Sequence, residues 1–200
     1  VDSDDYCADT MYEELISVLL SSKKKIAYSY SLHKFPDGRI KQVRDGFTLL
    51  ERNAENAVKA LFLGNIDISM MNKLYHKSLF EKMRFPEGEV NEDAPMWVPL
   101  LVSAGGIVHT GKAHYYYRIN EGGISKSGTY LREANSHVVW KHLETIKDQI
   151  SESRLNCERE FRAYCAKTAF QVALTMEKRY PELSDKVKSV LGIEVIEDAI

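Results

Sequence analysis

The sequence predicts an α/β fold followed by an all-α C-terminal segment. Three observations carry this. Met11, Leu15, Val18 and Leu19 recur at helical period, whereas Ile26, Tyr28, Tyr30 and Leu32 alternate with Ala27, Ser29 and Ser31 at the period of a strand. From about Thr129 onward the pattern is helical to the end of the 200 residues. That change of pattern divides the chain into residues 1–128 and 129–200.

Each element has a local reason. Thr10 and Glu13 stand at capping-box spacing, which predicts a helix over residues 10–22. The strand that follows ends at Phe35-Pro36-Asp37-Gly38, a turn in which Pro presets φ and Gly accepts a positive one, with residues 39–44 returning as a hairpin. Asn53 caps a helix over 54–63 that Gly64 stops. Residues 70–75 read equally as helix or strand, and a short helix follows over 76–83. Asn91 reads as an N-cap, with Glu92 and Asp93 in the first turn of a helix to about Ala104, where unpaired N–H groups favour acids. Pro95 is tolerated in that first turn, and Pro99 predicts a kink or break. Residues 107–110 and 113–119 read as two strands, and 120–128 as a polar loop with the glycines of a lid. Helices are expected to Ile150, from Ser153 to about Tyr180, and around Ser184 to Leu191.

Composition narrows the classes. Hydrophobic content of 44% and charged content of 28% suit a soluble globular protein, and a net charge of −2 offers no nucleic-acid footprint. The run Lys23-Lys24-Lys25 reads as a solvated turn. Three cysteines without metal spacing point to a reducing compartment. Eight helical residues separate Cys157 from Cys165, about 12 Å, too far for a disulfide. No apolar run approaches the roughly 20 residues that span a bilayer. The expected location is cytoplasmic, with association at the cytoplasmic face of a membrane left open.

The densest chemistry is at the start. Asp2, Asp4 and Asp5 crowd behind Val1, and such oxygen clusters suit Mg²⁺ or Mn²⁺. Val1 reads as the end of a buried strand, so the chain is expected to begin partway through a domain. A calcium-loop reading fails, because Cys7 stands where Gly is required and Tyr6 where Asp or Asn is. A phosphatase-type nucleophile lacks a matching lysine and acidic set. The purely structural alternative is an acidic region ahead of a helix. His76, His109 and His114 lack ligand spacing, and Trp140 with the apolar residues of the last helices reads as core or as a homo-oligomer seam.

The segment Val1-Asp2-Ser3-Asp4-Asp5-Tyr6, followed by a helix, resembles the metal motif of the inverting glycosyltransferases of family 2, which have the GT-A fold, and implies the C-terminal part of its mixed sheet with flanking helices. In order come Asn72-Lys73-Leu74-Tyr75, Leu79-Phe80, Arg84-Phe85-Pro86-Glu87-Gly88, the Glu92-Asp93 pair, Tyr115-Tyr116-Tyr117-Arg118 and Gly122-Gly123-Ile124-Ser125. Together they are similar to that family's later motifs over roughly residues 1–128, with Gly123 where Ser is more usual. The family's N-terminal nucleotide-binding half has no counterpart in this chain, and Pro95 and Pro99 depart from its pattern.

The resemblance implies transfer of a sugar, with inversion, from a nucleotide-diphospho-sugar to a saccharide or lipid-linked acceptor, in the setting of bacterial surface polysaccharide synthesis. It implies Asp4 and Asp2 at Mg²⁺ or Mn²⁺, Asp2, Lys73 and Arg118 at the donor diphosphate, and Asp93 as general base with Glu92 beside it. Without the base-binding half, the chain is expected to be inactive alone. The alternatives are a favourable helix start for Glu92-Asp93, a surface lysine for Lys73 and a paired strand-end arginine for Arg118. The competing function is a non-catalytic module that binds a partner or dimerises through its helices, with a vestigial acidic motif.

Overall fold

The computed structural model describes residues 1–42, 50–89, 91–120 and 133–179. Six strands form one mixed sheet: β1 (Tyr6–Cys7), β2 (Ile26–Lys34), β3 (Ile40–Gln42), β4 (Leu50–Arg52), β5 (Lys73–Tyr75) and β6 (Ile107–Arg118). The centre is the parallel pair β2 and β6. The start of β6 pairs with β4 and its end with β1, both antiparallel. β2 likewise takes β5 along its first residues and β3 along its last.

Helices cover both faces. α1 (Met11–Ser21) lays Met11 and Leu15 against Ala27, Val108 and Tyr115. The other face, carrying Ile26, Tyr28 and Ile107, meets α2 (Ala54–Phe62) and α3 (Trp97–Ser103). Ile26 and Tyr28 thus serve one core and Ala27 the other, as strand alternation requires. α4 (Glu133–Glu152) and α5 (Glu158–Arg179) join the same core through Leu143, Ile146, Ile150 and Phe161. Phe62 of α2 meets Phe161 and Tyr164 of α5 at ring separations of 5.4 and 5.3 Å. Among the described residues no helix is long and apolar enough to cross a membrane.

Several local expectations hold. Gly38 turns with φ 87° and donates to the Phe35 carbonyl at 3.0 Å. Asn53 caps α2, its Oδ1 accepting from Asn56 N–H at 2.9 Å. Replacing Asn53 with Ala is expected to cost about 1 kcal/mol in chemical denaturation, with the slope unchanged.

Other expectations are corrected. Thr10 precedes α1 without a side-chain cap, so the capping box does not form. Val1 lies outside any strand and is 57% exposed. Residues 73–75 are strand, and residues 77–80 form a 3₁₀ turn. Asn91 is not a cap but a left-handed residue with φ 58°. Asp93 instead precedes a 3₁₀ turn, Ala94–Met96, that runs into α3. Pro99 is therefore the third residue of a helix starting at Trp97, a position where a missing N–H is tolerated. The change of helix type comes before it, and no kink at Pro99 is needed.

Residues 107–118 are one strand rather than two. Gly111 adopts φ 80° and its N–H donates to His109 Nδ1 at 2.8 Å, forming an irregularity inside β6. The register with β2 steps from Tyr28↔His109 to Tyr30↔Ala113 and then to Ser31↔Tyr115. β6 thus spends six residues where β2 spends three. Val108 and Tyr115 are seven apart, which in a regular strand would put them on opposite faces. The three extra residues reverse the alternation, so both meet α1. The predicted strand over 39–44 is described only as β3, and the lid loop, the Gly122-to-Ser125 motif and the helix around 184–191 lie outside the described residues.

Candidate functional site

Asp2 to Asp5 form a tight turn, Asp5 N–H donating to the Asp2 carbonyl at 3.1 Å. The end of β6 holds that turn. Tyr115 O–H donates to Asp5 Oδ2 at 2.7 Å, and Asp2 N–H donates to the same phenol oxygen at 3.2 Å. Arg118 N–H donates to Asp5 Oδ1 at 2.8 Å, and Asn120 Nδ2 donates to Asp4 Oδ2 at 2.8 Å. Below the turn, Tyr6 stacks on Tyr116 with ring centroids 4.5 Å apart. The reversed alternation of β6 is what turns the Tyr115 hydroxyl toward this turn and Tyr116 toward Tyr6.

Asp5 is the residue that sequence reasoning missed. Both of its oxygens are engaged by groups more than a hundred positions away. Its only sequence signal is that it extends the acidic run, which cannot say which acid anchors and which are left to act. Among the described residues no hydrogen bond reaches the Asp2 carboxylate, and Asp4 is bonded through Oδ2 alone. Burial and the neighbouring charge of Asp5 raise the pKa of Asp2, with smaller contributions from Asp4 and Glu92.

The last of these comes from the second acidic segment. Glu92 follows the left-handed Asn91, is itself exposed, and its charge is felt at Asp2. Asp93 is half-buried beside it. Burial first, then the Glu92 charge, push its carboxyl up to about 6, against a smaller lowering by Lys73.

Lys73 is no surface lysine. It is 5% exposed, in register with Tyr28, and its ammonium lies 4.9 Å from the Trp97 ring centroid. It donates to Asn72 Oδ1 at 2.6 Å and to the Ser69 carbonyl. Asn72 in turn donates to the Ser29 carbonyl at 2.7 Å and Ser31 Oγ at 3.1 Å, tying β2 to the segment below the acid pair. Arg118 is exposed at the end of β6, one strand-end from the acid turn. Glu92 thus adds slightly to the rise of the Asp2 pKa, Lys73 slightly lowers that of Asp93, and the backbone N–H of Arg118 lies against Asp5.

Among the described residues no group of three or more His, Cys, Asp and Glu side chains gathers as a metal centre. The donor chemistry at Asp2 and Asp4 fits a hard divalent ion nonetheless. Both ligand candidates are carboxylates, and the pKa of Asp2 is raised first by burial and then by the charge of Asp5, which a cation would offset. Mg²⁺ characteristically takes one or two carboxylates and completes its shell with water and phosphate oxygens.

Residues of this chain align with Glycosyltransferase GlyA of Streptococcus pneumoniae serotype 4 at 28% identity over 141 residues, covering 64% of this chain and 20% of the relative. The chain is related to a glycosyltransferase. It spans about a fifth of the length of that relative. No protein-family model matches the chain. The α/β architecture with a mixed open sheet and flanking helices is compatible with such a transferase.

Proposed function

We propose that this chain forms the metal and acceptor side of an inverting family 2 glycosyltransferase with the GT-A fold, in residues 1–128, followed by a helical segment in 129–200. The observation that carries the reading is the half-buried Asp93, held near a pKa of 6 beside Glu92, whose charge reaches the acid turn at Asp2. The glycosyltransferase relative supports it.

On this reading Asp93 accepts the proton of the acceptor hydroxyl as that oxygen attacks the donor's anomeric carbon. A carboxyl near pKa 6 is mostly ionised at neutral pH yet far more basic than an ordinary aspartate, which suits proton abstraction. Glu92 orients the hydroxyl or the base. Asp4, with Asp2, would hold Mg²⁺ or Mn²⁺, which when bound neutralises the departing nucleoside diphosphate. Arg118 offers its exposed guanidinium to a diphosphate oxygen. Lys73 adds positive charge from within, where it also favours ionised Asp93. One in-line displacement through an oxocarbenium-like transition state inverts the anomeric centre. The donor is a nucleotide-diphospho-sugar and the acceptor a saccharide or lipid-linked saccharide.

The test is release or transfer of sugar from nucleotide-sugar donors by protein carrying this chain, with and without Mn²⁺. Sugar transfer that is unchanged after Asp4→Asn or Asp93→Asn would end this reading in favour of a binding module.

A further inference from the structure

We propose that helix α4 is what holds Asp93 in place, with Gln149 and His142 as its positioning residues. The inference rests on Asp93 being the base proposed above, but its observations are separate.

The turn that carries Asp93 is weakly determined by its own backbone. It follows Asn91 at φ 58° and is a three-residue 3₁₀ turn, closed by Ala94 N–H to the Asn91 carbonyl at 3.1 Å and Met96 N–H to the Asp93 carbonyl at 3.0 Å. Such turns have poorer hydrogen-bond geometry than an α-helix. Pro95 and Pro99 remove two more N–H donors. The second loss has an address. In a continuing helix, residue 99 would donate to the carbonyl four residues back, that of Pro95. Proline has no N–H to give, and Gln149 of α4 donates its Nε2 to that carbonyl instead, at 2.9 Å.

A second attachment lies on the other side of the acid pair. Glu89 Oε2 meets His142 Nε2 at 2.8 Å, and Lys141 pairs with Glu89 Oε1. His142 is 3% exposed, so this contact is not a loose surface pair. Lys141 and then His142 hold the Glu89 carboxyl below the usual range. His142 and Gln149 are seven residues apart, two turns along one side of α4 and about 10 Å from each other. Ile146 and Ile150 beside them are buried in the core, which makes α4 a firm support. One helix therefore grips the chain four residues before Asp93 and two residues after it.

The experiment follows the Asp93 side-chain carboxyl carbon by NMR through a pH titration of the 200-residue chain. Gln149→Leu keeps the volume and removes the donor. Its Asp93 midpoint is expected to fall by about one pH unit or more toward an ordinary aspartate as the carboxyl gains water. Pro99→Ala added to Gln149→Leu returns an N–H to the Pro95 carbonyl and is expected to restore the midpoint. His142→Leu is expected to lower it as well, and His142→Gln, which can still donate to Glu89, to preserve it. In the sugar-transfer assay, Gln149→Leu is expected to lower kcat by about tenfold to a hundredfold with donor KM within a factor of two. A melting temperature that drops while the Asp93 midpoint stays in place in both leucine variants would mean that α4 only packs, and would overturn the proposal. Failure of the base assignment reads differently: Asp93→Asn would retain transfer, while the midpoint shifts in the leucine variants would persist.

Discussion

Asp93→Asn is expected, on the proposed base role, to lower sugar transfer by protein carrying this chain by roughly 10² to 10⁴-fold while leaving donor KM nearly unchanged, because an amide keeps the shape but cannot accept the hydroxyl proton. The wild-type rate should rise with pH and reach half its plateau near pH 6, where Asp93 ionises. The same substitution should affect stability in the opposite sense. The folded pKa of about 6 stands above the ordinary aspartate value of 3.8, so between these pH values the folded state binds more protons than the unfolded one. Stability contributed by this group is complete below about pH 4 and is lost as pH rises through 6. A shift of this size corresponds to at most about 3 kcal/mol. Asp93→Asn should therefore gain melting temperature relative to wild type at pH 8 and gain little at pH 4. A variant that is inactive and equally destabilised at both pH values would show a folding defect in place of a lost base.

Gly106→Ala is expected to be strongly destabilising. Gly106 has φ 116°, and a Cβ there would lie 1.9 Å from the Arg52 carbonyl oxygen and 2.8 Å from the Asn53 carbonyl carbon. Both are backbone atoms at the point where β4 passes into α2. Arg52 is paired with Ile107 in the sheet, and Asn53 caps α2, so neither can retreat without breaking a strand pair or a helix start. The expected loss is about 4 kcal/mol or more, a large part of the 5–15 kcal/mol that holds a typical domain together. Gly38→Ala is the control. It also has a positive φ, 87°, but no atom within 4 Å, so only local strain of about 1–2 kcal/mol is expected. Equal denaturation midpoints for the two variants would contradict this account.

What was legible in the chain was local. The α1 stripe, the alternation of β2, the Phe35-to-Gly38 turn and the Asn53 cap each depend on residues within one turn or one strand, and each has the form its spacing implies. The acidic residues at 2, 4, 92 and 93 stood out because carboxylates so close together need either solvent or a cation. Asn91 and Pro99 misled for an equally local reason. Both were read as parts of one helix, whereas the helix begins only at Trp97 and Asp93 sits at the head of a 3₁₀ turn. Lys73 carried no mark of burial, since its cover of Trp97 and Tyr28 comes from other elements.

By itself the sequence determined the alternation of helix and strand, the turn residues and the acids available for chemistry. Those follow from backbone sterics and side-chain period, which act between near neighbours. Only the tertiary structure decided that β6 gains three residues on β2 and so turns Tyr115 to the acid turn, and that Asp5 is the anchor there. It alone decided that Gln149 completes the Pro95 carbonyl that Pro99 leaves open. Each of these depends on contacts between residues far apart in the chain, and on the water excluded when they meet, and neither is written in the order of residues around any one of them.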